Sequence, residues 1–205
     1  MFAGLGVALG STSTFTVLSV CLGALSAAAS LQAKNLVITL DPAETKIAFA
    51  LSATLHAVHG TFHMQSGHIA FDPSMHAISG DIIVGAASGD SGNAVRDRRM
   101  RRDVLQVRRY PEVRFSPTAW SGAVVRNGIS RIKVTGLLMI HGKARRITIP
   151  MEVQMSHEKI TATGTFIVPY VKWGMKNPSM FFLRVSKNVE IDITAVGQIR
   201  QTDAK

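Results

Sequence analysis

Apolar side chains alternate with small or polar ones over several short stretches of this chain. The alternation is clearest over residues 46–52, 147–153 and 189–195, where every second residue is apolar. A period of two places the apolar side chains on one face, as in a half-buried β-strand. Asp-Pro and Asn-Gly pairs, which favour turns, separate such stretches at intervals of about 8 to 12 residues. The pattern predicts an all-β protein, an antiparallel sandwich or barrel with about eight to ten short strands.

One stretch departs from this pattern and has the period of a helix. Within residues 93–107, Met100, Val104 and Val107 stand at i, i+4 and i+7 and form one apolar stripe. Five of the remaining twelve positions are arginines. The sequence therefore predicts one short helix, inserted around residues 93–107 between two strands.

The N-terminal segment has a different composition. Residues 1–33 are apolar and uncharged, and they end in a run of small residues at 26–30. These features predict a secretory signal peptide, followed by a single domain over residues 34–205 in the periplasm. An uncleaved membrane anchor and an extracellular location are the alternatives. A lipid anchor on Cys21 is disfavoured, because the preceding residue is Val20 rather than a small one.

The charge lies entirely outside that segment. The chain has 23 Lys and Arg against 13 Asp and Glu, a formal net charge of +10. A basic surface attracts anions, so the arginines of the helix are either a solvated face or a contact for a phosphate group, an anionic membrane or a partner protein. Nucleic acid is not expected, since Tyr110 is the only aromatic neighbour of the arginines. Within the helix, Asp97 is predicted to pair with Arg101 one turn later.

Motifs for catalysis and metal binding are weak. Four histidines, His56, His59, His63 and His68, lie close together in the sequence. No acidic residue lies among them and Gly60 interrupts any helical spacing, so a metal site is not predicted. The chain lacks the G-x-S-x-G, H-E-x-x-H and phosphate-loop motifs. The remaining enzyme hypothesis uses His56 or His141 as acid–base, with Asp97 as partner.

Five short motifs follow one another along the chain: His56 with Gly60-x-Phe62; residues 67–72; Ser91-Gly92-Asn93 with Arg96, Asp97 and Leu105; Tyr110-Pro111 with Phe115; and Gly136-x-Leu138 with His141-Gly142 and Arg146. In order and spacing they resemble the motifs of the YceI-like family of exported, lipocalin-like, polyisoprenoid-binding proteins. The resemblance as a whole extends over residues 36–196. Four positions depart from the family pattern: Ser91 and Met139 replace threonines, His141 stands at a position that is usually variable or arginine, and Tyr170 replaces an arginine before Trp173-Gly174.

The resemblance implies an extended eight-stranded antiparallel lipocalin-like β-barrel with an apolar tunnel. It implies a bound isoprenoid or other long-chain lipid, no established catalysis, and no cofactor besides such a lipid. A homodimer through an exposed edge strand is an open alternative. Residues 169–182, rich in aromatic residues and methionine, are either a lid over the barrel mouth or a packed crossover.

Strand parity and motif position together predict the binding residues. The tail of the lipid is expected to contact Phe49, Leu51, Phe62, Phe71, Ile83, Phe115, Leu138, Phe166, Tyr170 and Trp173. A polar or phosphate head group is expected near Arg96, Asp97, Arg98 and His56. An eight-stranded barrel either fills itself with side chains or encloses one small ligand, and the sequence leaves both open.

Overall fold

The computed structural model describes residues 35–54, 57–125, 127–156, 158–179 and 184–202. Within these ranges the chain forms ten strand segments, a short helix α1 (Ala94–Arg99), a π-helical turn (Met100–Val104) and a 3-10 turn (Ala86–Ser88). The strands are β1 (Asn35–Leu40), β2 (Lys46–Leu51), β3 (Val58–Phe62), β4 (Met64–Asp72), β5 (Ala77–Gly85), β6 (Glu112–Gly122), β7 (Ile129–Ile140), β8 (Lys143–Ser156), β9 (Lys159–Val168) and β10 (Val189–Thr202).

The ten segments occupy eight positions in one closed antiparallel sheet. One edge of β10 pairs with β9, and its other edge pairs with both β1 and β2. β1 and β2 therefore act as one strand interrupted at residues 41–45. β3 and β4 are interrupted only at His63. Because β1 also pairs with β4, the sheet closes on itself. The predicted eight-stranded barrel is confirmed.

A glycine permits a close approach of side chain to backbone within the wall. A Cβ atom on Gly136 of β7 would lie 2.6 Å from the ring of Phe115 on the neighbouring strand β6. No other residue type would allow this ring to lie across β7. Phe115 consequently covers the inner surface of the sheet at this point.

The pairing between β8 and β9 covers only part of their length. The ladder runs from Ser156↔Lys159 to Met151↔Gly164 and stops there, although β8 continues to pair with β7 as far as Lys143. The next residue of β8 after the last pair is Pro150, which has no amide N–H to donate. The wall is therefore not hydrogen-bonded between β8 and β9 over residues 143–150 and 165–168.

Two apolar clusters divide the interior along the strands. On β7, Ile132 belongs to the first cluster, whereas Leu138 belongs to the second. The first cluster contains Trp120, whose ring lies 4.9 Å from that of Phe71 and stacks on the ring of His76 at 5.0 Å. The second includes residues of the segment that follows α1. We call the two ends the Trp120 end and the helical end.

The helix is shorter than the sequence predicted. Asn93 caps it, accepting hydrogen bonds from the backbone N–H groups of Val95 and Arg96. After Arg99 the turn widens, and the N–H of Leu105 bonds to the carbonyl of Met100, five residues earlier. A positive φ of 51° at Gln106 then ends the helical course before residue 107.

The predicted apolar stripe of this helix packs against the barrel. Met100, Val104 and Val107 all contact the cluster at the helical end, where Leu105 is buried. The predicted pairing of Asp97 with Arg101 is wrong. Arg101 donates to the backbone carbonyl of Asp97, at 3.3 Å, because the carboxylate turns towards Ser91 instead.

Candidate functional site

An apolar cavity of about 680 Å³ occupies the helical end of the barrel. This volume is within the range of about 300–1,000 Å³ that is usual for ligand pockets. Leu40, Ile47 and Ala195 form its floor, where it borders the cluster at the Trp120 end. The barrel is therefore filled at one end and hollow at the other.

Seven of the ten predicted tail-contacting residues line this cavity. They are Phe49, Leu51, Phe62, Phe115, Leu138, Phe166 and Tyr170. They come from five strands and from the segment after β9, and the alternation of each strand turns them inwards. Phe49 and Phe62, on neighbouring strands, have ring centroids 5.4 Å apart. Their part in binding stays a prediction.

The other three predicted residues lie outside the described lining. The prediction for Ile83 is wrong by one position, because its neighbours Ile82 and Val84 line the cavity instead. Phe71 points inwards but belongs to the filled half, where it packs on Trp120. Trp173 packs against the cluster at the helical end without reaching the cavity.

Polar side chains line the cavity mainly where it meets α1. We call this part, formed by Ser91, Asn93, Arg96 and Arg99, the mouth. Arg98, predicted to contact a head group, is exposed and does not line the cavity. His56, the other predicted head-group residue near a mouth, lies outside the described residues.

Ser91 connects the two charged residues of the predicted Arg96-Asp97 pair. Arg96 donates from Nε to Ser91 Oγ and from Nη2 to the Ser91 carbonyl, both at 2.7 Å. Asp97 is 4% exposed, and its carboxylate accepts hydrogen bonds from the backbone N–H and the hydroxyl of Ser91. Asp97 therefore has a positioning role beneath the mouth rather than direct access to the cavity.

Tyr170 stands where the family pattern has an arginine. It is buried, and its hydroxyl donates a 2.7 Å hydrogen bond to the carbonyl of Ser186. Burial raises the pKa of this hydroxyl above its usual value, so it stays neutral. Tyr170 thus contributes a ring to the wall, and its hydroxyl is hydrogen-bonded to Ser186 of the segment before β10.

The segment after β9 packs into the barrel over its described part. A series of turns joins Pro169 to Met175, with the N–H of Trp173 bonded to the carbonyl of Pro169 at 3.1 Å. Met175 is 3% exposed and lines the cavity together with Pro178. Residues 169–179 are therefore a packed part of the wall. Residues 180–182 of this stretch lie outside the described residues.

The enzyme hypothesis is not supported by the positions of its described residues. His141 lies in the β7–β8 turn, 4.5 Å from the ring of Tyr110, and does not line the cavity. Its burial, and then the charges of Arg109 and Lys143, lower its pKa. The carboxylate of Asp97 bonds to Ser91 instead. The structure therefore does not bring His141 and Asp97 together in one site.

No group of three or more metal-ligating side chains occurs in the described part of the chain. His59, His63 and His68 are all exposed. Among the same residues, no helix is long and apolar enough to cross a membrane.

Comparison with known proteins identifies relatives by sequence. A family model described as YceI-like domain matches residues 38–197. A UPF0312 protein of Vibrio parahaemolyticus is 34% identical over 124 residues, covering 59% of this chain and 64% of that protein. The chain thus spans somewhat less than two thirds of this relative. A UPF0312 protein of Pseudomonas savastanoi is 30% identical over 183 residues, covering 85% of this chain and 91% of the relative.

Two solved structures share the fold at low sequence identity. Burkholderia cenocepacia BcnA has a TM-score of 0.63 at 22% identity, covering 77% of this chain and 98% of BcnA. A polyisoprenoid binding domain from Saccharophagus degradans, implicated in plant cell wall breakdown, also has a TM-score of 0.63, at 16% identity. It covers 80% of this chain and 98% of that domain. At these identities the likeness is one of fold.

Proposed function

We propose a lipid-binding function for this chain, which belongs to the YceI-like family. The ligand of its cavity is an isoprenoid or other long-chain lipid. The observation that carries the proposal is the hollow, apolar half of the barrel. A related fold that is described as polyisoprenoid-binding adds support. Binding, rather than catalysis, is the function that the family suggests.

The chemistry of the cavity suits a hydrocarbon tail. Its wall is built of aliphatic and aromatic side chains, and each buried CH₂ of a ligand is worth about 0.8 kcal/mol. The hydroxyl of Thr45, near the floor, donates to the carbonyl of Val196 within the protein. Because this hydroxyl already has a partner in the protein, a hydrocarbon tail can displace water from the apolar wall without breaking a hydrogen bond of the protein.

Affinity for isoprenoid alcohols is expected to rise with the length of the chain. Adding one five-carbon unit contributes up to roughly 4 kcal/mol of transfer free energy. We expect at least about a tenfold gain from geraniol to farnesol, and again to geranylgeraniol, after ordering costs. Native mass spectrometry of the delipidated protein titrated with each alcohol measures this. Equal affinities for the three alcohols would refute binding in the cavity.

A second candidate function is docking on an anionic membrane. Val95 on α1 is 65% exposed at the edge of the cavity, and exposed arginines, including Arg98 and Arg108, lie nearby in the sequence. An apolar side chain beside cations suits the surface of an anionic bilayer. Docking there would place the cavity at the source of its ligand.

Charge reversal tests this docking. We expect Arg98→Glu with Arg108→Glu to abolish sedimentation with phosphatidylglycerol vesicles while leaving isoprenoid binding unchanged. Lys133→Glu with Lys159→Glu is the matched control, since both lysines are exposed on strands towards the Trp120 end. Unchanged sedimentation of the double variant would rule out this surface.

A further inference from the structure

We infer that the lipid carried in the cavity has an anionic head group, a phosphate or carboxylate, which Arg96 binds at the mouth. This inference rests on the proposed function and specifies its ligand. It starts from the distribution of charge around the cavity. Arg96 and Arg99 are the only charged residues of the described lining, and neither Asp nor Glu is among them.

Arg96 is positioned before any ligand arrives. The two hydrogen bonds to Ser91 hold its guanidinium at the mouth, and Ser91 is itself fixed by the buried carboxylate of Asp97. Because this long side chain is already ordered, less conformational entropy is lost when a ligand binds. Two of the five N–H donors of the guanidinium are used by Ser91, which leaves donors for a ligand.

The charge of Arg96 is not cancelled by an ion pair within the described residues. The four ion pairs found there involve other residues. Asp97 is buried beneath the mouth and acts on Arg96 only through the Ser91 hydroxyl. The mouth therefore presents the guanidinium of Arg96, and no carboxylate of the described lining, to an apolar interior.

This combination selects between head groups. A guanidinium that a bound lipid removes from water loses hydration, and only an anionic acceptor restores that loss through charge-assisted hydrogen bonds. A neutral alcohol or quinone gives weaker bonds at the same place. The geometry therefore favours an acidic amphiphile whose tail fills the cavity and whose oxyanion faces Arg96.

A matched pair of ligands tests the inference. The delipidated full chain is titrated with geranylgeraniol and with geranylgeranyl phosphate, which differ only in the head group. We expect the phosphate to bind at least about tenfold more tightly at neutral pH, a difference of about 1.4 kcal/mol. Inorganic phosphate at the same concentrations should neither bind measurably nor displace the lipid.

Variants assign the preference to Arg96. Arg96→Gln should bring the two affinities together by weakening only the phosphate, and Arg96→Lys should keep part of the preference. Arg131→Gln is the control, because Arg131 lies on the outer wall and pairs with Glu152. Thermal unfolding of each variant verifies the fold.

The outcomes separate this inference from the proposed function. Equal binding of alcohol and phosphate overturns the anionic head group and leaves lipid binding in place. Failure of both ligands to bind overturns both proposals. If Arg96→Gln keeps the full preference for the phosphate over the alcohol, Arg96 does not bind the head group. If inorganic phosphate displaces the lipid, the mouth is a site for any small anion, and the inference about the lipid head group is overturned.

Discussion

Replacing Leu51 and Ile140 together by tryptophan should lower the affinity for geranylgeraniol by at least about a hundredfold. Both residues are half-buried and line the cavity at the helical end. Two indole rings would occupy space that the tail needs. Excluding one five-carbon isoprene unit forfeits roughly 4 kcal/mol, and about 2.8 kcal/mol already corresponds to a hundredfold change. Native mass spectrometry of the delipidated double variant, titrated with the alcohol, measures the effect.

Met139→Trp is the matched control for this substitution. Met139 is adjacent to Ile140 on β7 but points outwards and is 46% exposed. The Met139→Trp substitution adds an indole ring to the same strand without entering the cavity. We therefore expect this variant to bind geranylgeraniol with wild-type affinity. A double variant that kept full affinity while folded would show that lipid binds elsewhere.

Replacing Trp120 by alanine should reduce the free energy of unfolding by about 3–5 kcal/mol, the usual cost of removing a buried large aromatic side chain. Trp120 is 8% exposed and is in contact with both Phe71 and His76 at the filled end of the barrel. Trp120→Phe should reduce the free energy of unfolding clearly less than Trp120→Ala does. It retains an aromatic ring and breaks no hydrogen bond, since the buried indole N–H has no partner among the described residues. Urea denaturation of the three proteins gives the comparison.

His76→Ala provides the control, because His76 is exposed and contributes only its stacking face. A loss of at most about 1.5 kcal/mol is expected for it. Trp120 does not line the cavity, so the fraction of Trp120→Phe that is folded should bind lipid normally. If Trp120→Ala were as stable as wild type, the packing of Trp120 at the filled end would not stabilise the fold.

Strand alternation predicted the all-β class and much of the cavity wall, and the resemblance to the YceI-like family selected a barrel over a sandwich. Phe49 and Leu51 on β2 alternate with small or polar residues, so their face could be assigned from sequence alone. Ile83 could not be assigned, because it stands in an uninterrupted apolar run from 82 to 84. In such a run the sequence does not show which of the alternating side chains face inwards. In the structure, Ile82 and Val84 line the cavity.

Position along the barrel axis was the second limit. Phe71 faces inwards as its parity predicted, but the end of the barrel in which it lies depends on the register with β1 and β5. Met175 had no periodic pattern to mark it, since a series of turns places it in the wall. The π-helical turn at 100–104 likewise depends on packing against the barrel.

The central claim is that the hollow half of the barrel holds a lipid. Isolation of the protein from its own source, followed by native mass spectrometry without delipidation, tests this most directly. We predict a mass that exceeds the polypeptide mass by that of one long-chain lipid, which is released on organic extraction and identified in the extract. A homogeneous mass of the polypeptide alone, with no lipid in the extract, would contradict the account.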